Sequence, residues 1–170
     1  MERRETNRDL GSRETDLITI RRASPKDVEG IIALVNHHAR RGQLLPRSRQ
    51  SIAANIDDWI VAAADGQILG CVSLLRYTSG LVEVRSLAVG DGLQGFGIGS
   101  RLMQELLRVA RDRNIPTLFA LTRVVGFFER FGFVVTDRHF FPEKVWQDCQ
   151  QCPLRDNCDE TAVVLDLEES

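Results

Sequence analysis

The sequence predicts a mixed α/β domain with a mostly antiparallel central sheet of six to seven strands flanked by helices. Three observations carry that expectation. Residues 59–89 hold three strand-like runs joined by short turns, the pattern of an antiparallel meander. A long amphipathic run then separates the strand-like segments 81–89 and 116–122, and a crossover of that length joins parallel neighbours. At 170 residues, 43% hydrophobic and 27% charged, the chain is long enough to bury a core.

Residues 1–16, MERRETNRDLGSRETD, carry nine charges and no apolar cluster, so they are expected to be a disordered N-terminal tail. Residues 17–170 then form a single domain. LITIRRA (17–23) alternates and predicts the first strand. Ser24, Pro25 and Asp27 predict a helix start with a capping box, and Val28, Ile31, Ile32 and Val35 supply its apolar stripe. RRGQLLPR (40–47) is a basic loop, after which Ser48 caps a short helix through Ile56. Asp65-Gly66 marks a hairpin turn between two apolar runs. After the strand LVEVRSLAV (81–89) comes a glycine loop and a helix from about Gly97 to Arg113. PTLFALT (116–122), GFVVTD and TAVVLDL predict three further strands, with VGFFERF a short helix between the first two.

Composition excludes several classes. No apolar run approaches a membrane span, and a formal charge of −2 provides no basic field for nucleic acid. The charged N-terminal stretch is no secretory or transit signal, so a cytoplasmic location and reduced thiols are expected.

The chemistry concentrates in LAVGDGLQGFGIGSRLMQELLRVA (87–110). Gly90, Gly92 and Gly95 spell a dinucleotide fingerprint, but Asp112 lies within or at the end of the helix, not at the end of a following strand. A nucleotide-dependent oxidoreductase therefore fails on topology. Gln94-x-x-Gly97-x-Gly99 sits at the start of the helix, where unpaired N–H groups and the positive dipole end suit a pyrophosphate. Ile98, Leu102, Leu106 and Val109 form the stripe that anchors this helix.

Strand VEVRSLAV, then Gln94-Gly95-Phe96-Gly97-Ile98-Gly99, then a long helix resembles the acetyl-CoA motif of the GCN5-related N-acetyltransferases. The resemblance covers nearly all of residues 17–168. LFALT with FFERFGF, LLPRS and EKVWQDC is similar to the N-acetylglutamate synthase group within that superfamily. It implies acetyl-CoA as cosubstrate and an amino acid as acceptor, L-glutamate first, feeding arginine synthesis. The alternatives are another small amine, a protein N-terminus or a lysine; a CoA-binding regulator without catalysis is argued against by Glu83.

The resemblance also implies roles. Gln94, Gly95, Phe96, Gly97, Ile98, Gly99 and Ser100 would hold the pyrophosphate, and main-chain groups of Leu87, Ala88 and Val89 the pantetheine arm. An ammonium is not a nucleophile, so a base must take its proton. Glu83, the only carboxylate on the strand leading into the loop, matches that position, directly or through a water. Many members place a tyrosine acid on the helix after the next strand; here Phe127 and Phe128 stand there, and the sole tyrosine, Tyr77, lies elsewhere. Thr122 at the end of LFALT is the acid candidate, with solvent the alternative. Arg47, Ser48 and Arg85 would grip substrate carboxylates.

Cys149, Cys152 and Cys158 are candidate metal ligands, with His139, Asp159 or a water as a fourth. Their spacing fits no strong zinc template, so reduced thiols packing a loop over the substrate are the favoured reading and a metal is the alternative. Exposed sheet edges allow a homodimer.

Overall fold

The computed structural model describes residues 17–137 and 159–168. One sheet of seven strands runs in the order β1-β2-β3-β4-β5-β7-β6. The strands are β1 (Thr19–Arg22), β2 (Trp59–Ala64), β3 (Gln67–Thr78), β4 (Leu81–Val89), β5 (Thr117–Thr122), β6 (Val134–Val135) and β7 (Thr161–Asp166). The helices are α1 (Val28–Arg40), α2 (Arg49–Ala54), α3 (Ile98–Asp112) and α4 (Val125–Glu129). β4 and β5 pair in parallel through Val82↔Leu118 and Glu83↔Phe119, as the α3 crossover requires. β1 with β2, β2 with β3, β5 with β7 and β6 with β7 are antiparallel. The expected fold class is the observed one.

The described residues fall into two compact units, 17–73 with Ser86–Leu106, and Leu74–Arg85 with 107–137 and 159–168. In the first, the predicted stripe of α1 packs as expected through Val28, Ile31 and Val35. Leu34 joins them, while Ile32 is only partly buried. Ile52, Trp59, Val61, Cys71 and Ala88 complete that core. Two glycines allow close approach. A Cβ on Gly30 of α1 would lie 2.5 Å from Ile68 Cγ1, and one on Gly70 of β3 would lie 3.0 Å from Leu102 Cδ1 of α3. Ser24 stands at the predicted helix start with Asp27 as its expected capping-box partner: the Ser24 N–H donates to the Asp27 carboxylate at 2.8 Å, and the Ser24 hydroxyl does so at 3.2 Å. Pro25–Asp27 is a turn of 3-10 helix preceding α1. The Arg21 guanidinium grips Asp27 with two bonds of 2.7 and 2.9 Å and holds its carboxyl down at about 2. The predicted cap at Ser48 is present, its Oγ accepting from the Ser51 N–H. α2 stops at Ala54, two residues short of the predicted Ile56, which instead begins a 3-10 turn.

In the second unit, Phe119 and Ala162 are buried beneath Tyr77, Leu81, Leu121 and Val164. Phe128 and Phe133 pack edge to face at 5.2 Å, closing α4 onto the strand region that follows. Two details of the chain differ from the sequence expectation. α3 starts at Ile98 because Gly97, with φ of 82°, lies outside helical space. Ser86, in the middle of β4, has a φ of 57°. A left-handed residue within a strand marks a bulge and interrupts the regular two-residue alternation of side chains. Among the described residues no helix is long and apolar enough to cross a membrane.

Candidate active site

The glycine loop belongs to the first unit. It leaves β4 at Gly90, whose N–H donates to the Leu69 carbonyl at 2.8 Å, and turns at once, with Leu93 N–H donating to Gly90 O. Two of the three fingerprint glycines thus shape a turn after the strand. α1 fastens that turn from the side. His37 Nε2 and Arg41 Nη1 hold Asp91 at 2.7 and 2.9 Å. The hydrogen bond from His37, followed by the Arg41 charge, keeps the Asp91 carboxyl below its ordinary range. His38, buried in the last turn of α1, donates from Nε2 to the Val89 carbonyl at 3.0 Å, while its Nδ1 lies 2.6 Å from the Gln43 amide. Gln94 Nε2 donates to the same Val89 carbonyl at 3.2 Å. That oxygen, one of the groups expected to serve the pantetheine arm, is therefore already engaged by two side chains.

Beyond Gln94 the backbone is left-handed at Gly95 (φ 88°) and Gly97 (φ 82°), and no atom lies within 4 Å of where either Cβ would be. The first helical bond of α3 runs from Arg101 N–H to Gly97 O. The N–H groups of Ile98, Gly99 and Ser100 precede it and, by helix geometry, have no carbonyl four residues back to bind. Ile98 is buried and pins the turn, whereas Phe96 stands half exposed beside it. The result is a concave backbone surface rich in N–H groups, on the positive end of a 15-residue helix.

The same unit has an open cavity of about 580 Å³ lined by Asn36, Ala39, Arg40, Pro46, Arg47 and Ser48. Arg47 and Ser48, two of the residues expected to hold substrate, both line it. Arg40, counted in the sequence only within a basic cluster, joins them, and Asn36 was not anticipated.

In the second unit Glu83 is buried at 8% exposure, opposite Phe119 in the parallel register. Tyr77 donates its phenol proton to Glu83 Oε2 at 2.7 Å. The Tyr77 ring leans on Phe119, with centroids 5.8 Å apart. Arg85 lies half-buried two residues on. Thr122 ends β5, buried, with Oγ1 accepting from the Val124 N–H at 2.9 Å. Strand alternation sets it on the face opposite to Phe119. Phe127 makes ring contacts with Phe128 and Phe131 and carries Arg130 over its face, so this segment is built for packing.

Sequence reasoning passed over Tyr77 because it lies on another strand. The signal was there: the turn at Ser79–Gly80 folds β4 back along β3 and brings a residue just before it near one just after. The His38–Val89 bond joins residues 51 apart and left no local trace. Cys149, Cys152, Cys158 and His139 lie outside the described residues. Asp159, the other proposed ligand, is held by Arg123 Nε at 2.6 Å. Among the described residues no group of three or more His, Cys, Asp or Glu could hold a metal.

The chain belongs to the acetyltransferase (GNAT) family, whose pattern it matches over residues 32–133. It is 37% identical over 148 residues to an uncharacterized N-acetyltransferase of Chlorobaculum tepidum, covering 87% of this chain and 96% of that one. It is 32% identical over 146 residues to the amino-acid acetyltransferase of Shewanella oneidensis, covering 80% of this chain. The fold superposes on N-acetylglutamate synthase of Neisseria gonorrhoeae, complexed with coenzyme A and N-acetyl-glutamate, with a TM-score of 0.77 and 29% identity over 88% of this chain. The chain spans about a third of the length of these last two proteins, 33% and 35% respectively.

Proposed function

We propose that the protein transfers the acetyl group of acetyl-CoA to the α-amine of an amino acid, L-glutamate first among them, making N-acetylglutamate for arginine synthesis. The observation that carries the reaction is the open, left-handed turn at Gly95 and Gly97 leading into α3. A pyrophosphate can approach that backbone without meeting a side chain, and it would take hydrogen bonds from the N–H groups of Ile98, Gly99 and Ser100. Gln94 and Phe96 flank the approach. Main-chain groups of Leu87 and Ala88, and the N–H of Val89, would pair with the pantetheine arm.

Glu83 accepts the proton of the incoming ammonium, directly or through a water, and leaves a free amine. The amine nitrogen bonds to the thioester carbonyl carbon as the C–S bond breaks, and the acylated nitrogen gives up its second proton to solvent, leaving a neutral amide. The departing thiolate then takes a proton from solvent, because Thr122, the other candidate, stands on the face of β5 opposite to Phe119, the register partner of Glu83.

The acceptor class rests on the cavity at Arg40, Arg47 and Ser48 and on the names of the relatives. Guanidinium forks in a cavity suit carboxylates and disfavour the cationic side chain of a lysine peptide. Arg85 is the second proposed carboxylate partner. Acetyl-CoA turnover against all twenty amino acids and a lysine-containing peptide tests the reading. Preferential acetylation of glutamate is expected. Robust peptide acetylation with no amino acid turned over would overturn it.

A further inference from the structure

The sole tyrosine of the chain donates a 2.7 Å hydrogen bond to the carboxylate proposed as base, and nothing in the reaction above uses it. Both groups are fixed by their surroundings. Glu83 is 8% exposed, and its strand is pinned to β5 through the Glu83↔Phe119 register. Tyr77 sits near the end of β3, its ring lying against Phe119, which is fully buried. One phenylalanine therefore backs the phenol and stands opposite the carboxylate in the sheet, so the Oη–Oε2 distance is set by packing on three strands.

We infer that Tyr77 is a positioning residue for Glu83, orienting its carboxylate and setting the pH at which it becomes a competent base. This rests on Glu83 being the proton acceptor. A phenol donating to a carboxylate favours the ionised form, which opposes the effect of burial. Two consequences follow from the same bond. The carboxylate keeps one rotamer, so its acceptor oxygen is presented in a constant direction. It also stays ionised at a lower pH than a buried carboxylate without a donor.

Because Tyr77 is the only tyrosine, replacing every tyrosine by 3-fluorotyrosine alters this position alone. The fluorinated phenol is more acidic and donates more strongly. Four proteins are compared with the parent: Tyr77→Phe, which keeps the ring against Phe119, the fluorotyrosine form, Glu83→Gln, and the double variant that combines Tyr77→Phe with Glu83→Gln. Each is followed by kcat/KM against pH and by KM for acetyl-CoA. Tyr77→Phe is expected to move the acid limb upward by on the order of one pH unit. It should lower kcat several-fold and leave KM for acetyl-CoA unchanged. The fluorotyrosine form is expected to move the acid limb the other way. Tyr77→Phe combined with Glu83→Gln should be no slower than Glu83→Gln alone, because Tyr77 acts through Glu83.

Should Glu83→Gln lose the acid limb while both tyrosine variants keep the parent's profile, the inference fails and the assignment of the base survives. A fully additive double variant has the same meaning. If Glu83→Gln itself keeps the parent profile, Glu83 is not the base and both readings fall.

Discussion

Asp27 shows how much one buried carboxylate can be asked to do. It receives two bonds from Arg21 and two from Ser24, and it is only 5% exposed. Its carboxyl is held at about 2, below the ordinary value of 3.8, first by the Arg21 hydrogen bond. A depressed carboxylate contributes stability that is whole above the unfolded value and lost as pH falls through the folded one. The window is therefore pH 4 down to 2, and the contribution is at most about 2 kcal/mol. The stability difference between parent and Asp27→Asn, measured by urea midpoints, is expected to shrink steadily across that window. A difference constant from pH 6 to pH 2 would contradict the linkage. At the proposed substrate cavity the arithmetic concerns binding. Arg47→Ala is expected to raise KM for glutamate at least tenfold with a smaller change in kcat, since a charge-assisted bond made equally to substrate and transition state is uniform binding. An unchanged KM would remove Arg47 from the acceptor site.

At the scale of elements, the glycines divide into those proposed to serve a ligand and those that serve packing. Gly97 needs its left-handed backbone, and open space surrounds it. Gly97→Val is expected to cost about 1–2 kcal/mol in backbone strain and to abolish CoA binding in calorimetry, with the fold retained. CoA affinity equal to the parent's would remove the loop from the cosubstrate site. Gly30 is the opposite case. In a helix interior, alanine is normally better than glycine by about 1 kcal/mol. Here a Cβ would come within 3.0 Å of Ile68 Cβ as well as 2.5 Å of its Cγ1. Gly30→Ala is therefore expected to destabilise by about 1–3 kcal/mol, and the added change Ile68→Ala to recover part of that loss in thermal melts. The sequence made the first class of glycine legible and hid the second. Spacing against a helix start reveals a loop for an anion, whereas close packing of α1 on β3 depends on partners 38 residues apart. Strand bounds from β2 to β5 followed from alternation and turn chemistry to within a residue. The bulge at Ser86 could not be read that way, because serine there is unremarkable in a strand-like run. The candidate site divided along the same line. Arg47 with Ser48 and the loop glycines were local patterns, while the partners of Glu83 and Val89 depended on the tertiary fold.

On the scale of the whole molecule, β4 is one strand by its hydrogen bonding and two by its membership. Leu81–Arg85 belongs with residues 107–137 and 159–168, and the stretch from Ser86 onward belongs with residues 17–73; the left-handed Ser86 is the first residue after that boundary in the chain. Proteins open locally in cooperative blocks, and a strand usually falls within one of them. β4 should not. Under native conditions the slow amides of Val82–Val84 are expected to exchange with the opening free energy of β5 and β7. Those of Ala88 and Val89 should follow α1 and β2. A destabilising change confined to one block, such as Gly30→Ala, should then speed exchange after residue 86 and leave the amides before it nearly untouched. If a single opening free energy ran unbroken along Leu81–Val89, the strand would be one cooperative piece, and Ser86 a local kink with no bearing on how the molecule comes apart.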